Sequence, residues 1–134
     1  MIVYRTDHSA VDLPQLGALF VSAGWGWRAE DPVKLAALLE GSRFVASAHD
    51  DERDLRLVGF ARAISDGVTN AYVSTVVVLP EYRGKGIGAE VVRRLLDGKD
   101  TIRFVLHAAP GVQEFYRKLG FEDASDMLRR DRLA

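Results

Sequence analysis

The first forty residues combine one β-prone run with two stretches of helical spacing. Residues 2–5 predict an opening strand. Apolar side chains then recur every three or four positions over residues 12–23 and 31–41, each time behind an aspartate and a proline, which is typical of a helix start. We therefore expect two amphipathic helices, interrupted by the glycine- and tryptophan-containing segment 24–27.

The centre of the chain favours strands. Residues 43–49 and 55–64 are β-prone and flank the charged segment 50–54, which suits a hairpin loop. Residues 71–79 follow a turn at 66–67, and their run of valines predicts a strand that is buried on both faces.

The last third of the chain alternates between helix and strand. A helix is expected from Ile87 to a stop at Gly98, followed by a strand over 102–107 and a short helix over 112–119. The tail 121–133 is expected to add one or two strands.

The composition agrees with one domain spanning residues 1–134. Hydrophobic side chains make up 48% of the chain, which is enough for one layered core at this length. The order of elements predicts an α/β (α+β) fold, with a mixed central sheet flanked by about four helices. Cysteine is absent, which excludes a disulfide framework, a thiolate zinc site and a cysteine nucleophile, and we expect no metal.

Charge and hydropathy narrow the range of partners. The 18 Lys and Arg residues nearly balance the 19 Asp and Glu residues, so no overall positive field favours nucleic acid. No apolar run reaches the length of a membrane span. We expect a soluble cytoplasmic protein that binds neither nucleic acid nor a membrane.

Candidate chemistry appears where the third β-prone segment meets the next helix. Three glycines within five positions lie in the segment Arg83-Gly84-Lys85-Gly86-Ile87-Gly88, which we call the glycine loop. Glycine lets the main chain approach a ligand closely, and amides at a helix start attract anions, so this loop suits a pyrophosphate. A plain strand-to-helix turn is the alternative. The spacing matches neither a dinucleotide fingerprint nor a P-loop.

The glycine loop does match the Gln/Arg-x-x-Gly-x-Gly/Ala signature of acyl-CoA-binding N-acetyltransferases. A second block, Phe-Tyr-Arg-Lys-Leu-Gly-Phe at residues 115–121, is similar to the Phe-Tyr-x-x-x-Gly-Phe element of the same proteins. With both motifs in order, the chain resembles the GNAT superfamily over essentially its whole length. Residues 61–67 are also similar to small bacterial N-acetyltransferases and to chloroplast serotonin-type amine acetyltransferases.

This resemblance implies that acetyl-CoA lies in a cleft where strands 72–79 and 102–107 separate. Tyr116 matches the family's general acid, which would reprotonate the departing thiolate; an aromatic side chain packed under the cofactor is the alternative. Backbone groups of the strand would pair with the pantetheine arm and the glycine loop would hold the pyrophosphate. The cofactor residues are therefore Val76, Val77 and Val78 in the strand, and Arg83, Gly84, Lys85, Gly86, Ile87 and Gly88 in the loop.

The general base and the acceptor pocket are less defined. Many relatives carry a carboxylate on the strand before the loop, but residues 71–76 contain none. A water relay through Ser74, Thr75 or backbone carbonyls could serve instead, as could Asp66, Glu30 or His107. The family's frequent asparagine after the fifth strand is also missing, because residues 108 and 109 are alanines.

Trp25 and Trp27 lie where relatives shape the acceptor pocket. Two such rings would suit an aromatic or alkyl amine, including its ammonium form, although buried core aromatics are the alternative. We expect an acetyl-CoA-dependent N-acetyltransferase that acts on a primary amine of a small molecule by direct attack. A peptide or protein amine as acceptor, or a silent acyl-CoA-binding module, are the alternatives. The tail 126–133 also offers an edge through which two copies could form a homodimer.

Overall fold

The computed structural model describes residues 1–134 and contains one five-stranded sheet, with its strands in chain order. The strands are β1 (Ile2–Arg5), β2 (Phe44–Asp50), β3 (Arg56–Ser65), β4 (Asn70–Val78) and β5 (Arg103–Leu106). The helices are α1 (Leu13–Ser22), α2 (Gly26–Ala29), α3 (Pro32–Glu40), α4 (Ile87–Leu96) and α5 (Gln113–Arg117). Pairing is antiparallel from β1 to β4 and parallel between β4 and β5. The predicted mixed sheet is confirmed.

Five helices flank the sheet, rather than about four, because α2 forms inside the segment predicted as a break. The two predicted early helices begin as expected. The Asp12 carboxylate accepts from the Gln15 amide at 3.0 Å, and the Asp31 carboxylate accepts from the Val33 amide at 2.9 Å. These side chains satisfy amides that a helix start leaves without partners. No helix has both the length and the apolar character needed to cross a bilayer.

The core lies on both faces of β3, in which residues 57–63 are all buried. Phe60 packs edge-on against Phe20 of α1, with 6.4 Å between the ring centroids. Its neighbour Gly59 lies against Ile87 of α4. Because successive strand residues point to opposite faces, α1 and α4 cover opposite sides of the sheet.

The expected burial of β4 on both faces is wrong. Val77 is buried, but Val76 and Val78 are only half-buried. Tyr72 is exposed as well, although it pairs with Val105 of β5, so the layers on the two faces of β4 cover it only in part.

The expected strands in the tail are also wrong, because residues 121–134 contain neither strand nor helix. Seven of the eleven residues from 122 to 132 are charged, which leaves too few apolar side chains to bury a strand face. Phe121 alone packs against the core, near Tyr116 at 5.8 Å between ring centroids. The homodimer contact at 126–133 stays a prediction.

The close approach of β3 to α4 gives a stability prediction. A Cβ at position 59 would lie 2.9 Å from Ile87 Cγ2 and 3.3 Å from Ala48 Cβ. We expect Gly59→Ala to lower the free energy of unfolding in urea by about 1–3 kcal/mol, because packed backbone and side chains must shift.

Gly17→Ala is the matched control, since Gly17 is also buried but has more room. Its added Cβ would lie 3.5 Å from Ala29 Cβ and 3.6 Å from Leu35 Cδ2, which are ordinary contacts. Alanine in a helix is expected to raise the free energy of unfolding by up to about 1 kcal/mol. Equal effects of the two substitutions would contradict the tight packing at Gly59.

Candidate active site

A cleft opens where β4 and β5 stop pairing. Their register ends at Val73 and Leu106, yet β4 continues to Val78 without a neighbour on that side. The cleft has a volume of about 660 Å³ and is lined by β4, the glycine loop, the end of β5 and α5. In an antiparallel strand, alternate residues direct their N–H and C=O groups away from the partner. Part of the β4 backbone next to Val76 therefore faces the cleft.

The glycine loop presents free amides at one end of the cleft. Gly84 and Gly86 have φ values of 77° and 81°, a region that favours glycine, and no atom lies within 4 Å of where their Cβ would stand. None of the amides of residues 84–88 donates a hydrogen bond within the chain, and no side chain caps the start of α4. These donors and the positive end of the α4 dipole fit a pyrophosphate.

The cations of the glycine loop take different positions. The Arg83 Nε donates to the Val78 carbonyl at 3.1 Å, at the end of β4. Lys85 does not line the cleft, and its Nζ lies 5.4 Å from the centroid of the Tyr82 ring. Tyr82 in turn donates to Asp50 at 2.5 Å, which anchors the loop to β2 and holds the pKa of the Asp50 carboxyl below its ordinary value.

Tyr116 lines the same cleft from α5. Its ring packs edge-on against Phe115 and Phe121, with centroids 5.0 and 5.8 Å away. Burial raises the pKa of Tyr116 above its ordinary value of about 10, because the charged phenolate is poorly solvated there. The hydroxyl therefore keeps its proton at neutral pH, as a proton donor must.

Only some of the candidates for the general base line the cleft. His107 lines the cleft, and its Nε2 accepts from Arg129 Nη1 at 3.0 Å. Asp66 and Glu30 do not line it, and no other carboxylate does. Asp66 instead accepts from the Thr69 hydroxyl and from the amides of Val68 and Thr69 in the β3–β4 turn. These hydrogen bonds hold the pKa of Asp66 well below its ordinary value.

Ser74 and Thr75 line the cleft, but both hydroxyl oxygens accept from the buried Arg62. Arg62 Nε donates to Thr75 Oγ1 at 2.9 Å and Nη2 donates to Ser74 Oγ at 3.0 Å. A hydroxyl whose lone pair faces a guanidinium is a poor proton acceptor but a polarised donor. This geometry disfavours a water relay through the hydroxyl of Ser74 or Thr75.

The two tryptophans are separated by the structure. Trp25 lines the cleft, whereas Trp27 lies outside it and is 59% exposed. The guanidinium carbon of Arg28 lies 4.9 Å from the Trp25 ring and 4.8 Å from the Trp27 ring. The aromatic faces expected to receive an ammonium group are thus in contact with a cation of the chain itself.

Arg28 and Arg62 were not among the site residues predicted from the sequence. Arg62 is only 7% exposed and is the one charged residue within the buried run 57–63. The signal for Arg62 in the sequence is a lone arginine in an apolar strand that contains no acidic residue. All the site residues predicted from the sequence line the cleft, except Lys85 and Trp27. Those that line it are Val76, Val77, Val78, Arg83, Gly84, Gly86, Ile87, Gly88, Tyr116 and Trp25.

Comparison with known proteins identifies this arrangement. A family model described as an acetyltransferase (GNAT) domain matches residues 41–123, which include the glycine loop and Tyr116. Histone acetyltransferase TAP1 of Glycine max is 39% identical over 123 residues, covering 84% of this chain and 52% of that protein. Chloroplastic serotonin N-acetyltransferase 2 of Oryza sativa subsp. japonica is 38% identical over 129 residues, covering 93% of this chain and 64% of that protein. The chain thus spans about half to two thirds of their length.

The fold agrees with the sequence comparisons. The solved structure of a GNAT-family acetyltransferase from Streptococcus pneumoniae TIGR4 matches with a TM-score of 0.75 at 25% identity, covering 98% of this chain and 99% of that one. The resemblance found in the glycine loop and the 115–121 block is therefore confirmed. The chain belongs to the GNAT family of acetyltransferases, whose members take acetyl-CoA as the acetyl donor.

Proposed function

We propose that residues 1–134 form one catalytic domain that transfers an acetyl group from acetyl-CoA to the primary amine of a small molecule. The observation that carries this proposal is that Tyr116 and the glycine-loop residues with free amides, Gly84, Gly86, Ile87 and Gly88, line one cleft. Trp25 supports a small acceptor, because a bulky ring at the α1–α2 connection restricts the space there.

The residues of the cleft fit the donor along its length. The amides of 84–88 would hold the pyrophosphate, with Arg83 and Lys85 adding positive charge. The unpaired edge of β4 at Val76–Val78 would pair with the pantetheine amides, as a neighbouring strand would. This placement brings the acetyl end toward Ser74, where β4 and β5 separate.

The thioester supplies an activated acetyl carbonyl, and the proposed reaction is direct attack by a neutral amine. The nitrogen forms a bond to the carbonyl carbon, the carbon–sulfur bond breaks, and the sulfur leaves with its electron pair. Tyr116 donates its hydroxyl proton to that sulfur and is reprotonated from water. The proton lost by the nitrogen passes to water in the cleft, because no carboxylate lines it and His107 already uses its Nε2 to accept from Arg129.

Thiol release tests the acceptor class. Acetyl-CoA is offered together with small primary amines, with peptides that have a free N-terminus, and with lysine-containing peptides. Steady release with small amines supports the proposal. Release only with peptides would overturn it in favour of a peptide or protein amine, which the name of the soybean relative brings into consideration.

The glycine loop gives a paired prediction on cofactor binding. Gly86 and Gly98 have φ values of 81° and 73°, and both have open space where a Cβ would stand. Gly86→Ala and Gly98→Ala should therefore each lower the free energy of unfolding by about 1–2 kcal/mol, because of backbone strain.

Only Gly86→Ala should weaken the binding of acetyl-CoA, by about 10-fold or more in calorimetry, because its methyl group lies among the pyrophosphate-binding amides. Gly98 lies beyond the end of α4 and away from the cleft. Equal affinities of the two variants would contradict a pyrophosphate site at residues 84–88.

Tyr116→Phe tests the acid role. We expect kcat to fall by about 100-fold, with the dissociation constant of acetyl-CoA changed by less than about two-fold, because only the proton donor is removed. Tyr4→Phe in β1 serves as the control, since Tyr4 lies outside the cleft. An unchanged kcat in Tyr116→Phe would assign Tyr116 a packing role instead.

A further inference from the structure

Two arginines next to the cleft have no acidic partner. None of the ion pairs of the chain includes Arg28 or Arg62. Arg62 is more than nine-tenths buried, and its three hydrogen bonds all go to hydroxyls, those of Ser42, Ser74 and Thr75. Buried charges in proteins are ordinarily paired, so the buried guanidinium of Arg62, with the half-buried one of Arg28 beside it, indicates a missing anion.

Arg28 has a donor that nothing in the chain satisfies. Its Nη1 is buried without a hydrogen-bond partner, and it is the one buried side-chain atom of this kind. Contact with Trp25 and Trp27 holds the guanidinium through its π-face. Ring contacts of this kind form no hydrogen bond with the guanidinium, whose N–H donors are arranged to pair with a planar two-oxygen acceptor.

Neither arginine lines the cleft itself, but each contacts residues that do. The positive charge of Arg28 lowers the pKa of Arg62, after the larger effect of burial, to about 10. Arg62 therefore stays charged at neutral pH. Ser74 and Thr75, which accept from Arg62, line the cleft, as does Trp25, which contacts Arg28. Their hydroxyl protons have no acceptor in the chain and can be donated to a ligand.

We propose that the acceptor amine carries a carboxylate, which binds between Arg28 and the Ser74 hydroxyl, with Arg62 stabilising the charge from behind. This inference rests on the proposed transfer to a small primary amine and defines its substrate class as small amino acids. A bidentate guanidinium–carboxylate contact uses the donors that the chain leaves open. A simple alkyl or aryl amine would leave both arginines uncompensated.

The same charges favour the reactive form of the amine. Only the neutral amine has a lone pair for attack, and nearby positive charges lower the pKa of an ammonium group. No Asp or Glu side chain lines the cleft to stabilise the ammonium form. The carboxylate would thus supply binding, while the arginines discourage the protonated amine.

Matched acceptors test the proposal. Each amino acid is paired with the amine left after removal of its carboxylate, for example phenylalanine with phenethylamine and β-alanine with ethylamine. We expect kcat/KM of the wild-type protein to be about 10- to 100-fold higher for the carboxylate-bearing member of at least one pair. Values that are equal, or higher for the decarboxylated member, in every pair would overturn the inference and leave the proposed function standing.

Arg28→Gln should remove this preference. We expect KM for the carboxylate-bearing acceptor to rise about 10- to 100-fold, with little change for the matched amine or for acetyl-CoA. Arg103→Gln, at an exposed position of β5 outside the cleft, is the control and should behave like the wild type. Equal losses for both members of a pair in Arg28→Gln would contradict carboxylate recognition.

A binding measurement separates the two proposals. If acetyl-CoA binds but no acceptor of either kind is acetylated, the proposed function fails. Calorimetric titration of the amino acids into the coenzyme A-loaded protein then decides the inference alone. Heat that disappears in Arg28→Gln supports the carboxylate site, and no heat with the wild-type protein overturns it.

Discussion

The limited length of β5 is the constraint on which the site depends. β5 has four residues and ends at Leu106, before Pro110 and Gly111 turn the chain toward α5. β4 runs five residues further, and its backbone there has no neighbouring strand on the side of β5. An unpaired strand edge is a site for another extended molecule, because its N–H and C=O groups need partners. The cleft is therefore a consequence of unequal strand lengths within an otherwise ordinary sheet.

The point where β4 and β5 stop pairing coincides with an irregularity in β4. The register between β3 and β4 shifts so that Arg62 faces Thr75 and Ala63 faces Val73, which leaves Ser74 as an extra residue. Such a bulge bends the strand and increases its twist. It also brings the hydroxyls of Ser74 and Thr75 within reach of the same guanidinium. The register shift thus places a buried cation beside the point where β4 and β5 stop pairing.

What the sequence predicts well is encoded locally. Asp12 and Asp31 mark helix starts because a short side chain caps the nearby amides, and the glycine loop is recognisable because its backbone angles need glycine. The tail was predicted wrongly because scattered apolar residues such as Leu128 are insufficient without a covering layer; Leu128 is 98% exposed. The extent of β4–β5 pairing is a long-range property, and the family resemblance rather than periodicity pointed to it.

The acceptor end shows why residue type alone misleads. Trp25 and Trp27 suggested an aromatic site for an ammonium ion, yet Arg28 lies against both rings. Ser74 and Thr75 suggested a proton relay, yet their lone pairs face Arg62. In both cases an arginine, Arg28 next to the tryptophans in the chain and Arg62 on the neighbouring strand, contacts the group that was expected to receive a cation or a proton. A site without a carboxylate base can still favour attack, because positive charge near an amine selects its neutral form.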